Sequence, residues 1–548
     1  MRAIGVLRPI AVVLGIMAFG VLLLRAATNA LDASLPLSVQ HGLWWLGLVC
    51  VGYGFGGRWP QSVTRLAWMV AGVMLLGAIP RMVALDDGLR FLPDEAIFLN
   101  GIVSLEAVNG RARLIYPVSD YLVASWLVTL WQGAAVSIFG HTTMAARLIS
   151  ALVGTLWIAG VALLARELAL LHSSKRADLI GLAAAVLMAG FAAQVHYSRL
   201  ALYNIIDPLF GMVALGFLAR AWRLNQASAY VWAGVALGAA QYFYEGGRLT
   251  WLPLVIGWTL IQRRLRAGVI LTAITTMVIG TPAWFGVLAV LGSPTPRLDT
   301  VGELSTQGAT LSERLGDVLA LIVWHGDPPY SLYYGASLIG IVLLPCFVVG
   351  LGRTLFRWRT PAGSLLLLWL AGVIGAAVVF EINTSARFVG VLPALLLICG
   401  VGLLGLIRWP RVLWAALIIL SLGQVWLYFG VTLPQMHVTR YATLASRATY
   451  DEYDAVIRAA ATDSRYVFFI ANSHPLAGTP GTLERLTDYY LPTRTIQVLT
   501  PDFVDSLATL PDDTPITLLI YPADSAALVT LGGFLSLPPP HGSEDVPA

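Results

Sequence analysis

Long apolar runs recur along most of the chain, and they limit what it can fold into. The first run, Ile4 to Leu24, is already long enough to cross a bilayer as one helix, because about 20 apolar residues span the hydrocarbon core. Only 12% of the residues are charged and 57% are hydrophobic, so most of the chain would be insoluble as a globule. The sequence therefore predicts an all-α polytopic membrane protein.

These runs predict about 13 transmembrane helices. They are Ile4 to Leu24, Val39 to Phe55, Leu66 to Ala84, Met144 to Leu164, Leu179 to Gln194, Ile205 to Leu218, Tyr230 to Tyr242, Leu249 to Ile261, Val269 to Leu291, Leu332 to Leu351, Leu365 to Phe380, Phe388 to Leu406 and Val412 to Val431. One further run, Tyr121 to Phe139, is ambiguous, because it either spans the membrane or lies along its surface.

The distribution of basic residues favours one orientation. If the N-terminus is inside and Tyr121 to Phe139 lies on the outer surface, the short basic loops all face the cytoplasm, as the positive-inside bias requires. If that run spans instead, the basic segments 263–266 and 353–359 face outward. We therefore predict an interfacial helix here, in a multi-pass protein of the plasma or inner membrane. Cleavage of the first run as a signal peptide, the alternative, leaves this orientation unchanged.

The chain is predicted to contain four parts. They are two extra N-terminal transmembrane helices (1–62), the main transmembrane domain (63–431) with outer loops 85–143 and 292–330, a soluble α/β domain on the outer face (432–535), and a disordered tail (536–548). The α/β prediction rests on three strand-like runs, RYVFFIAN, RTIQVLT and ITLLIYP, which alternate with helical stretches.

Composition and loop lengths argue against several function classes. The net charge of +4 gives no support for nucleic-acid binding. No P-loop or dinucleotide-binding glycine motif stands between a strand and a helix, and the inner loops are too short for a nucleotide-binding fold, which argues against an ATP-driven pump. Cys50, Cys346 and Cys399 lie inside apolar runs, so they form no disulfide framework or thiolate metal site. Chemistry is therefore expected on the outer face.

A first acidic motif, GLRFLPDEAIFLNG, follows the third apolar run. It places Asp94 and Glu95 at the edge of the bilayer, where carboxylates are costly unless they have a function. Adjacent side chains on a helix diverge by about 100°, so only one of the two points into a given cavity. The alternative is a simple helix start, because Pro93 suits a first turn and carboxylates are favourable near the positive end of the helix dipole.

A second acidic motif, HYSRLALYNIIDPLF, places Arg199 and Asp207 at the outer entrance of the next inward span. Asp207 could instead be a helix N-cap. Further polar residues are expected at the same level, each with a snorkelling or loop-capping alternative. They are Arg147, Tyr244, Glu245, Arg248, Glu381 and Arg387. In the loop 292–330, His325 with Asp327 is a metal or acceptor contact, or simply a turn residue.

In order and spacing, the motifs of the main domain resemble one family of membrane enzymes. They are LPDEAIFL, YP, FGHTTMAARLISALVGTLWIAGVALLAREL, YSRLALYNIIDPLF, ALGAAQYFYEGGRLTWLPL and RFVGVLPALLL. They are similar to those of GT-C membrane glycosyltransferases, namely the protein O-mannosyltransferase and aminoarabinose lipid A transferase group. The similarity covers roughly Leu66 to Leu406. It implies a multi-spanning enzyme that transfers a sugar from a polyprenyl-phosphate donor to a lipid, glycan or protein acceptor on the outer face.

The resemblance also implies roles for individual residues. Asp94 matches the acidic residue of the first outer loop that is taken as catalytic, and Glu95 is its neighbour. Asp207 matches the acidic residue before proline in the second loop, and Arg147 matches the arginine associated with the donor phosphate.

One motif departs from the pattern of the aminoarabinose transferases. They carry Glu-Lys before the proline of the first loop, where this chain has Ile115 and Tyr116. Its only lysine is Lys175, on the predicted inner side. Transfer of aminoarabinose to lipid A is therefore not implied.

Glycosyl transfer from a phosphate needs a base, stabilisation of an oxocarbenium-like centre, and neutralisation of the departing phosphate. We expect Asp94 to be the base, with Glu95 and Asp207 beside it. Arginines suit the lipid phosphate because they bind oxyanions in a fork, and Tyr116 is expected among the residues of the substrate pocket. The arginines are Arg147 first, then Arg199, Arg248 and Arg387; the other expected pocket residues are Tyr244, Glu245, His325 and Glu381.

The sequence leaves open whether the site uses a metal ion. Mg²⁺ or Mn²⁺ held by Asp94 and Asp207, or by Asp207 and Glu95, is one possibility, because carboxylates are hard oxygen ligands. A metal-free site that uses only arginine is the other.

Trp126 and Trp131 are expected to border a groove for the polyprenyl chain.

Two other functions compete with the glycosyltransferase. A transporter or flippase of lipid-linked sugars would need broken helices and charges within its spans, and the sequence predicts almost no buried charges. A non-catalytic membrane assembly subunit, which docks through its tail, would leave the two outer acidic motifs unexplained.

Overall fold

The structure is a computed structural model. The residues it describes are 2–27, 35–56, 65–86, 93–108, 112–118, 124–264, 267–293, 310–326, 333, 336–379, 385–439, 466–470, 489–490, 495–499 and 516–520.

Most of the described residues are helical. The helices are α1 (Arg2–Ala27), α2 (Leu37–Gly56), α3 (Arg65–Met82), α4 (Pro93–Ala107), α5 (Trp126–Phe139), α6 (Thr143–Leu171), α7 (Ala177–Gly190), α8 (Ala192–Ser198), α9 (Ile206–Leu224), α10 (Ala227–Ala240), α11 (Leu252–Ile261), α12 (Ala267–Leu291), α13 (Leu311–Val323), α14 (Leu344–Phe356), α15 (Pro361–Val379), α16 (Leu392–Leu406), α17 (Pro410–Leu427) and α18 (Leu433–Thr439). Short 3₁₀ or π turns at Tyr203–Ile205, Gly247–Trp251, Ser385–Val391 and Tyr428–Thr432 lead into α9, α11, α16 and α18.

The chain is a multi-pass membrane protein. Among the described residues, eight helical segments are long and apolar enough to cross a membrane, or nine if the bent pair α7 and α8 is one span. Four other apolar helices, α5, α10, α14 and the segment Gly247–Ile261, have only 10–17 residues. At 1.5 Å per residue, such helices are shorter than the roughly 30 Å hydrocarbon core. The predicted count of about 13 spans is therefore not confirmed.

Helix α14 begins later than predicted. The sequence predicts a span over Leu332 to Leu351, but the helix starts at Leu344 and ends at Phe356. Pro345 lies in its first turn, where proline is tolerated because that N–H has no helical partner. Just before it, Gly340 has φ +72°, a turn conformation that a helix cannot include.

Helix α5 packs across one end of the helical unit. Its Trp131 Nε1 donates to His41 Nε2 at 3.0 Å, and Gln132 Nε2 donates to the carbonyl of Ala146 at 3.2 Å. Thr129 Oγ1 lies 3.0 Å from the hydroxyl of Tyr203. These partners lie at the N-terminal ends of α2, α6 and α9, which the sequence predicts to face outward. We call this the outer end and the opposite one the inner end, after the predicted orientation.

The inner end contains a buried ion cluster. The Glu167 carboxylate, on α6, is fully buried and lies 2.8 Å from Arg166 Nη1 and 2.7 Å from Arg223 Nη2. Arg166 also pairs with the more exposed Asp178 at 2.6 Å. The cluster joins the C-terminal ends of α6 and α9 to the start of α7. It corrects the prediction that buried charges are almost absent from the spans.

A second buried charge explains the break between α7 and α8, which are bent by 62°. Arg81, fully buried near the end of α3, donates to the carbonyls of Met188 at 2.8 Å and Ala189 at 2.9 Å, and it contacts Gln194. Carbonyls in the last turn of a helix lack helical donors and carry its negative dipole end. A guanidinium there donates hydrogen bonds to the free carbonyls and places a positive charge at the negative end of the dipole. The broken span is therefore stabilised by a cation.

The chain divides into two compact units, residues 1–90 with 101–443 and residues 91–100 with 444–548. The smaller unit contains a parallel sheet of β1 (Tyr466–Ile470), β2 (Thr495–Leu499) and β3 (Ile516–Ile520), in the order β2-β1-β3. These strands lie within the three runs predicted as strands. Apart from Tyr489 and Tyr490, the predicted helices of the tail lie outside the described residues, so the α/β domain as a whole stays a prediction.

Candidate functional site

A cavity of about 360 Å³ opens at the outer end of the larger unit. Its walls come from the start of α9, the segment that enters α11, the second half of α15, and the turn before α16. Four of its polar lining residues, Asp207, Tyr244, Glu245 and Arg387, are predicted site residues. A concave site with a few convergent polar groups among apolar walls is typical of ligand pockets.

Asp207 is the buried carboxylate of this cavity. It is the second residue of α9, ahead of Pro208, and only 2% of it is exposed. Its Oδ2 accepts a hydrogen bond from Trp251 Nε1 at 2.8 Å, while its Oδ1 is buried without a hydrogen-bond partner among the described residues. The N-cap alternative is wrong, because the N-cap of α9 is Ile205 and no side chain caps this end.

The approach to α11 brings the other polar groups together. Glu245 is buried in the cavity wall, and Arg387 Nη1 donates to the hydroxyl of Tyr244 at 2.5 Å. Arg248 is half-buried within electrostatic reach of Glu245 and Asp207, and its Nε has no hydrogen-bond partner in the described part of the chain. Gly246 is needed here, because a Cβ atom would collide with Asp207 Oδ2. Five predicted residues thus gather at or beside one cavity.

Two residues of the site were missed by sequence reasoning. Asn204 lines the cavity and donates from Nδ2 to the carbonyl of Ala386 at 2.9 Å, whereas its buried Oδ1 has no partner among the described residues. The other is Trp251, the donor to Asp207. Asn204 lies three residues before Asp207 in YNIIDP, and this closeness to a predicted outer acid could have indicated that it belongs to the site. Trp251 gave none, because tryptophan is common at the ends of spans.

Arg147 and Arg199 do not line this cavity. Arg147 Nη1 donates to the carbonyl of Leu85 at 2.8 Å, and Arg199 donates to the carbonyls of Pro80 at 3.1 Å and Ala84 at 3.0 Å. Both guanidiniums therefore hold the turn after α3. Burial lowers the pKa of Arg199; the nearby Tyr428 opposes this effect and the charge of Arg147 adds to it. The donor-phosphate role of these two arginines stays a prediction.

Tyr116 and His325 have local partners outside the cavity lining. The hydroxyl of Tyr116 accepts from Arg113 Nη1 at 2.9 Å, and His325 Nδ1 lies 2.9 Å from the carbonyl of Gly326. The histidine contact is the arrangement expected of a turn residue. Glu381 and Asp327 lie outside the described residues.

The first acidic motif lies at the start of α4. That helix begins at Pro93, and residues 91–100 belong to the smaller unit. Glu95 is buried. The side chain of Asp94 is outside the described residues, so its convergence with Asp207 stays a prediction.

The polar groups of the described site offer limited support for a metal. Within the described residues, no group of three His, Cys, Asp or Glu side chains is close enough to hold an ion. Two hard oxygen ligands in the cavity lining, Asp207 Oδ1 and Asn204 Oδ1, have no hydrogen-bond partner among the described residues. The pair of Asp94 and Asp207 stays a prediction because Asp94 is not described.

The apolar wall of the cavity lies between α11 and α15, away from the predicted tryptophans. On α15 it includes Leu368, Val373 and Ala377, and at the start of α11 it includes Pro253 and Leu254. The α15 part alone extends over about 13 Å of helix. Of the two tryptophans expected to border a groove, Trp126 is only 6% exposed and Trp131 is hydrogen-bonded to His41.

Comparisons with known proteins show the fold. No family model matches the sequence, and no curated protein matches it. ArnT from Cupriavidus metallidurans, bound to undecaprenyl phosphate, is similar with a TM-score of 0.53 and 15% identity over 85% of this chain and 95% of that one. Its apo state gives the same score and identity over 85% and 94%. An oligosaccharyltransferase from Archaeoglobus fulgidus, tethered with an acceptor peptide, has a TM-score of 0.47 and 15% identity over 83% of this chain and 60% of that one.

The ArnT and oligosaccharyltransferase structures are GT-C glycosyltransferases. The likeness to ArnT shows that this chain has the same fold. It therefore confirms, at the level of the fold, the resemblance that the motifs indicate.

Proposed function

We propose that this chain is a membrane glycosyltransferase, which moves a sugar from a polyprenyl-phosphate donor to an acceptor hydroxyl on the extracytoplasmic face. The proposal rests on the outer cavity, where the guanidinium of Arg387 and the Oδ1 of Asp207, which has no partner among the described residues, share one space with an apolar wall. The fold likeness supports it, because ArnT has been crystallised with undecaprenyl phosphate, a polyprenyl phosphate.

The reaction assigns a role to each charged group. The acceptor oxygen attacks the anomeric carbon, the bond from that carbon to the phosphate oxygen breaks, and a carboxylate takes the acceptor proton. Asp94 is the proposed base on the evidence of its motif, with Glu95 holding the start of α4. Asp207 is the second acid of the proposal, because a buried carboxylate oxygen without a donor among the described residues is ready to accept a proton from a hydroxyl or to bind a cation.

The departing phosphate needs positive charge at the moment the bond breaks. Arg387 lines the cavity and Arg248 lies beside it, and guanidinium groups bind phosphate oxygens in a fork. Arg147 and Arg199 have a secondary role in this proposal, through the turn after α3. If Mg²⁺ or Mn²⁺ is bound, Asp207 and Asp94 are its proposed ligands, and the ion would supply further charge for the phosphate.

The lipid part of the donor fits the apolar wall between α11 and α15. Such a chain is stabilised by burial of apolar surface, while its phosphate stays at the polar mouth. Acceptor choice would fall to the outer loops and the tail, which a fixed transfer centre leaves free to vary.

The two rival functions account for less of this geometry. A flippase would use a broken span, and α7 with α8 supplies one, but Arg81 already binds the carbonyls at that break and does not line the outer cavity. A non-catalytic subunit would leave the buried oxygen of Asp207 unexplained, although such a group costs roughly 1–3 kcal/mol.

The test is release of polyprenyl phosphate by the full chain in proteoliposomes, supplied with a panel of labelled polyprenyl-phosphate sugars and a crude envelope acceptor. We expect the native chain to consume one donor and Asp94→Asn to abolish consumption while still binding it. Full activity in Asp94→Asn would remove that residue from the base role. Movement of intact donor between leaflets, with no release of polyprenyl phosphate, would identify a flippase instead.

A further inference from the structure

A second cavity, of about 320 Å³, lies at the inner end of the larger unit. It is bounded by the last turns of α6, α14 and α16 and the first turns of α7, α15 and α17. The glycosyltransferase proposal makes no use of it. Its size falls in the range of about 300–1,000 Å³ that is usual for small-molecule sites.

The polar and apolar residues of this cavity are segregated. The polar lining residues lie in the terminal turns and loops at this end, and they are His172, Ser174, Arg353, Thr354, Arg357 and Thr360. Farther from the helix ends the lining is aliphatic, with the buried Leu366, Leu396 and Leu417. A ligand that matches this arrangement has a polar head and an apolar chain.

The charge at the mouth selects an anionic head. Arg353 lies in the last turn of α14 and Arg357 directly follows that helix, and in the described part of the chain neither side chain has an ion-pair or hydrogen-bond partner. Among the described residues that line the cavity there is no carboxylate. By contrast, Arg166 and Arg223 at the same end are paired with carboxylates, Glu167 for both and also Asp178 for Arg166. Two unpaired guanidiniums above an apolar space favour a phosphate group.

The surroundings of the mouth are those of a membrane interface. Trp358 and Trp409 are exposed beside this end, and Arg359 lies 5.0 Å from the ring of Trp358. Exposed tryptophan next to arginine is typical of the lipid headgroup level. The predicted orientation puts this end in the cytoplasmic leaflet, which is rich in anionic lipid and attracts basic residues.

We propose that the inner cavity binds one anionic phospholipid of the cytoplasmic leaflet, with its phosphate at Arg353 and Arg357 and an acyl chain between α7, α15 and α16. The lipid ties the end of α14 to α15. Helix α15 also lines the outer cavity, because Leu366 faces the inner cavity and Leu368 the outer one. The bound lipid therefore stabilises a helix that both cavities share.

The experiment uses the full chain in nanodiscs of phosphatidylcholine with a fraction of phosphatidylglycerol. After transfer into detergent, the lipid retained per chain is counted by native mass spectrometry. We expect the native chain to keep phosphatidylglycerol in preference to phosphatidylcholine, and the double variant Arg353→Gln/Arg357→Gln to keep about tenfold less, as for loss of a charge-assisted hydrogen bond. Arg359→Gln, a control at the same end outside the lining, should keep the native amount.

A second variant separates lipid binding from folding. Gly400 lines the cavity, and a Cβ atom there would meet only Leu187, at 3.9 Å, so the backbone accepts a side chain and Gly400→Leu is designed to occupy the space for the acyl chain. We expect it to retain less lipid while its unfolding temperature in lipid-free detergent stays native. Equal retention of the two lipids, or native retention in the double variant and in Gly400→Leu, would overturn the proposal. So would glycerol phosphate protecting the protein against heat as well as phosphatidylglycerol does, which would identify a site for soluble anions. None of these outcomes depends on glycosyl transfer.

Discussion

Trp251 Nε1 donates a hydrogen bond to Asp207 Oδ2 at 2.8 Å, and this bond leaves the second carboxylate oxygen directed at no other residue of the described chain. One oxygen is fixed and the other is available. A carboxylate held in this way is preorganised, since it need not reorient when a substrate hydroxyl or a cation arrives.

The Asp207 carboxylate should be needed for transfer. Asp207→Asn keeps the shape but cannot accept a proton, so we expect the rate of donor consumption to fall by about 10²- to 10⁴-fold, the usual contribution of a positioned acid or base. The measurement is release of polyprenyl phosphate in proteoliposomes. An unchanged rate would show that Asp207 has no part in the reaction.

Trp251 should act through Asp207. Trp251→Phe removes the donor and keeps an aromatic ring, and loss of a hydrogen bond to a charged group costs about 1.5–3 kcal/mol. We expect a roughly tenfold to hundredfold fall in kcat with little change in KM for the donor. The pH profile of the rate should also shift, because the carboxylate loses a stabilising partner. A native profile with only a lower unfolding temperature would indicate that Trp251 has a packing role alone.

Arg387 should contribute to donor binding. Arg387→Lys keeps the charge but loses the fork that holds two phosphate oxygens and the bond to Tyr244, so we expect KM for the donor to rise by about tenfold. The matched control is Arg408→Lys, an exposed arginine at the inner end that lines neither cavity. Equal effects of the two changes would argue against a phosphate site at Arg387.

Glu167 should be important for stability. Glu167→Gln leaves Arg166 and Arg223 without their buried partner, and breaking a buried ion pair costs about 3–5 kcal/mol. Asp178→Asn removes the exposed partner of the same arginine, and we expect it to cost no more than about 1 kcal/mol. The two variants should be compared by thermal unfolding in one detergent. Similar unfolding temperatures for the two variants would show that the buried carboxylate of Glu167 contributes no more to stability than the exposed one of Asp178.

Helix α13 should begin to fray in acid. Glu313 accepts from the backbone N–H of Thr310 at 2.7 Å and from its hydroxyl at 2.8 Å, and these two bonds lower the pKa of Glu313 below its ordinary value. A lowered pKa means that this capping box stabilises the helix above the ordinary pKa and is lost as the pH falls through the lowered one. Amide exchange at the start of α13, corrected for the intrinsic rate, should therefore quicken in acid, and Glu313→Gln should remove the effect. If the corrected amide exchange at the start of α13 showed no pH dependence in the native chain, the proposed role of Glu313 in capping would be contradicted.

Several features could be read from the sequence because they are local. Helices form in the predicted apolar runs, since a run of about 20 apolar residues has few other ways to satisfy its backbone in lipid. The strands of the tail also form where β-branched and aromatic residues cluster. The start of α4 at Pro93 follows from the fixed φ of proline.

Other features required distant parts of the chain. The N-cap alternative for Asp207 was reasonable on local grounds, but Trp251, 44 residues away, binds the carboxylate instead. Arg147 and Arg199 have the residue type that phosphate binding needs, yet their hydrogen bonds go to the turn after α3. The break between α7 and α8 depends on Arg81, more than 100 residues before it.

By itself, the sequence determined that this is a helical membrane protein with acidic and basic groups at one end of its spans. Hydropathy and charge bias act on each segment separately, so they can be summed along the chain. Only the tertiary structure decided which of those groups meet in one cavity. Burial and hydrogen bonding depend on which helix ends pack together. Arg387 reaches Tyr244 across 143 residues because the end of α10 and the segments that lead into α11 and α16 lie at the same end of the unit.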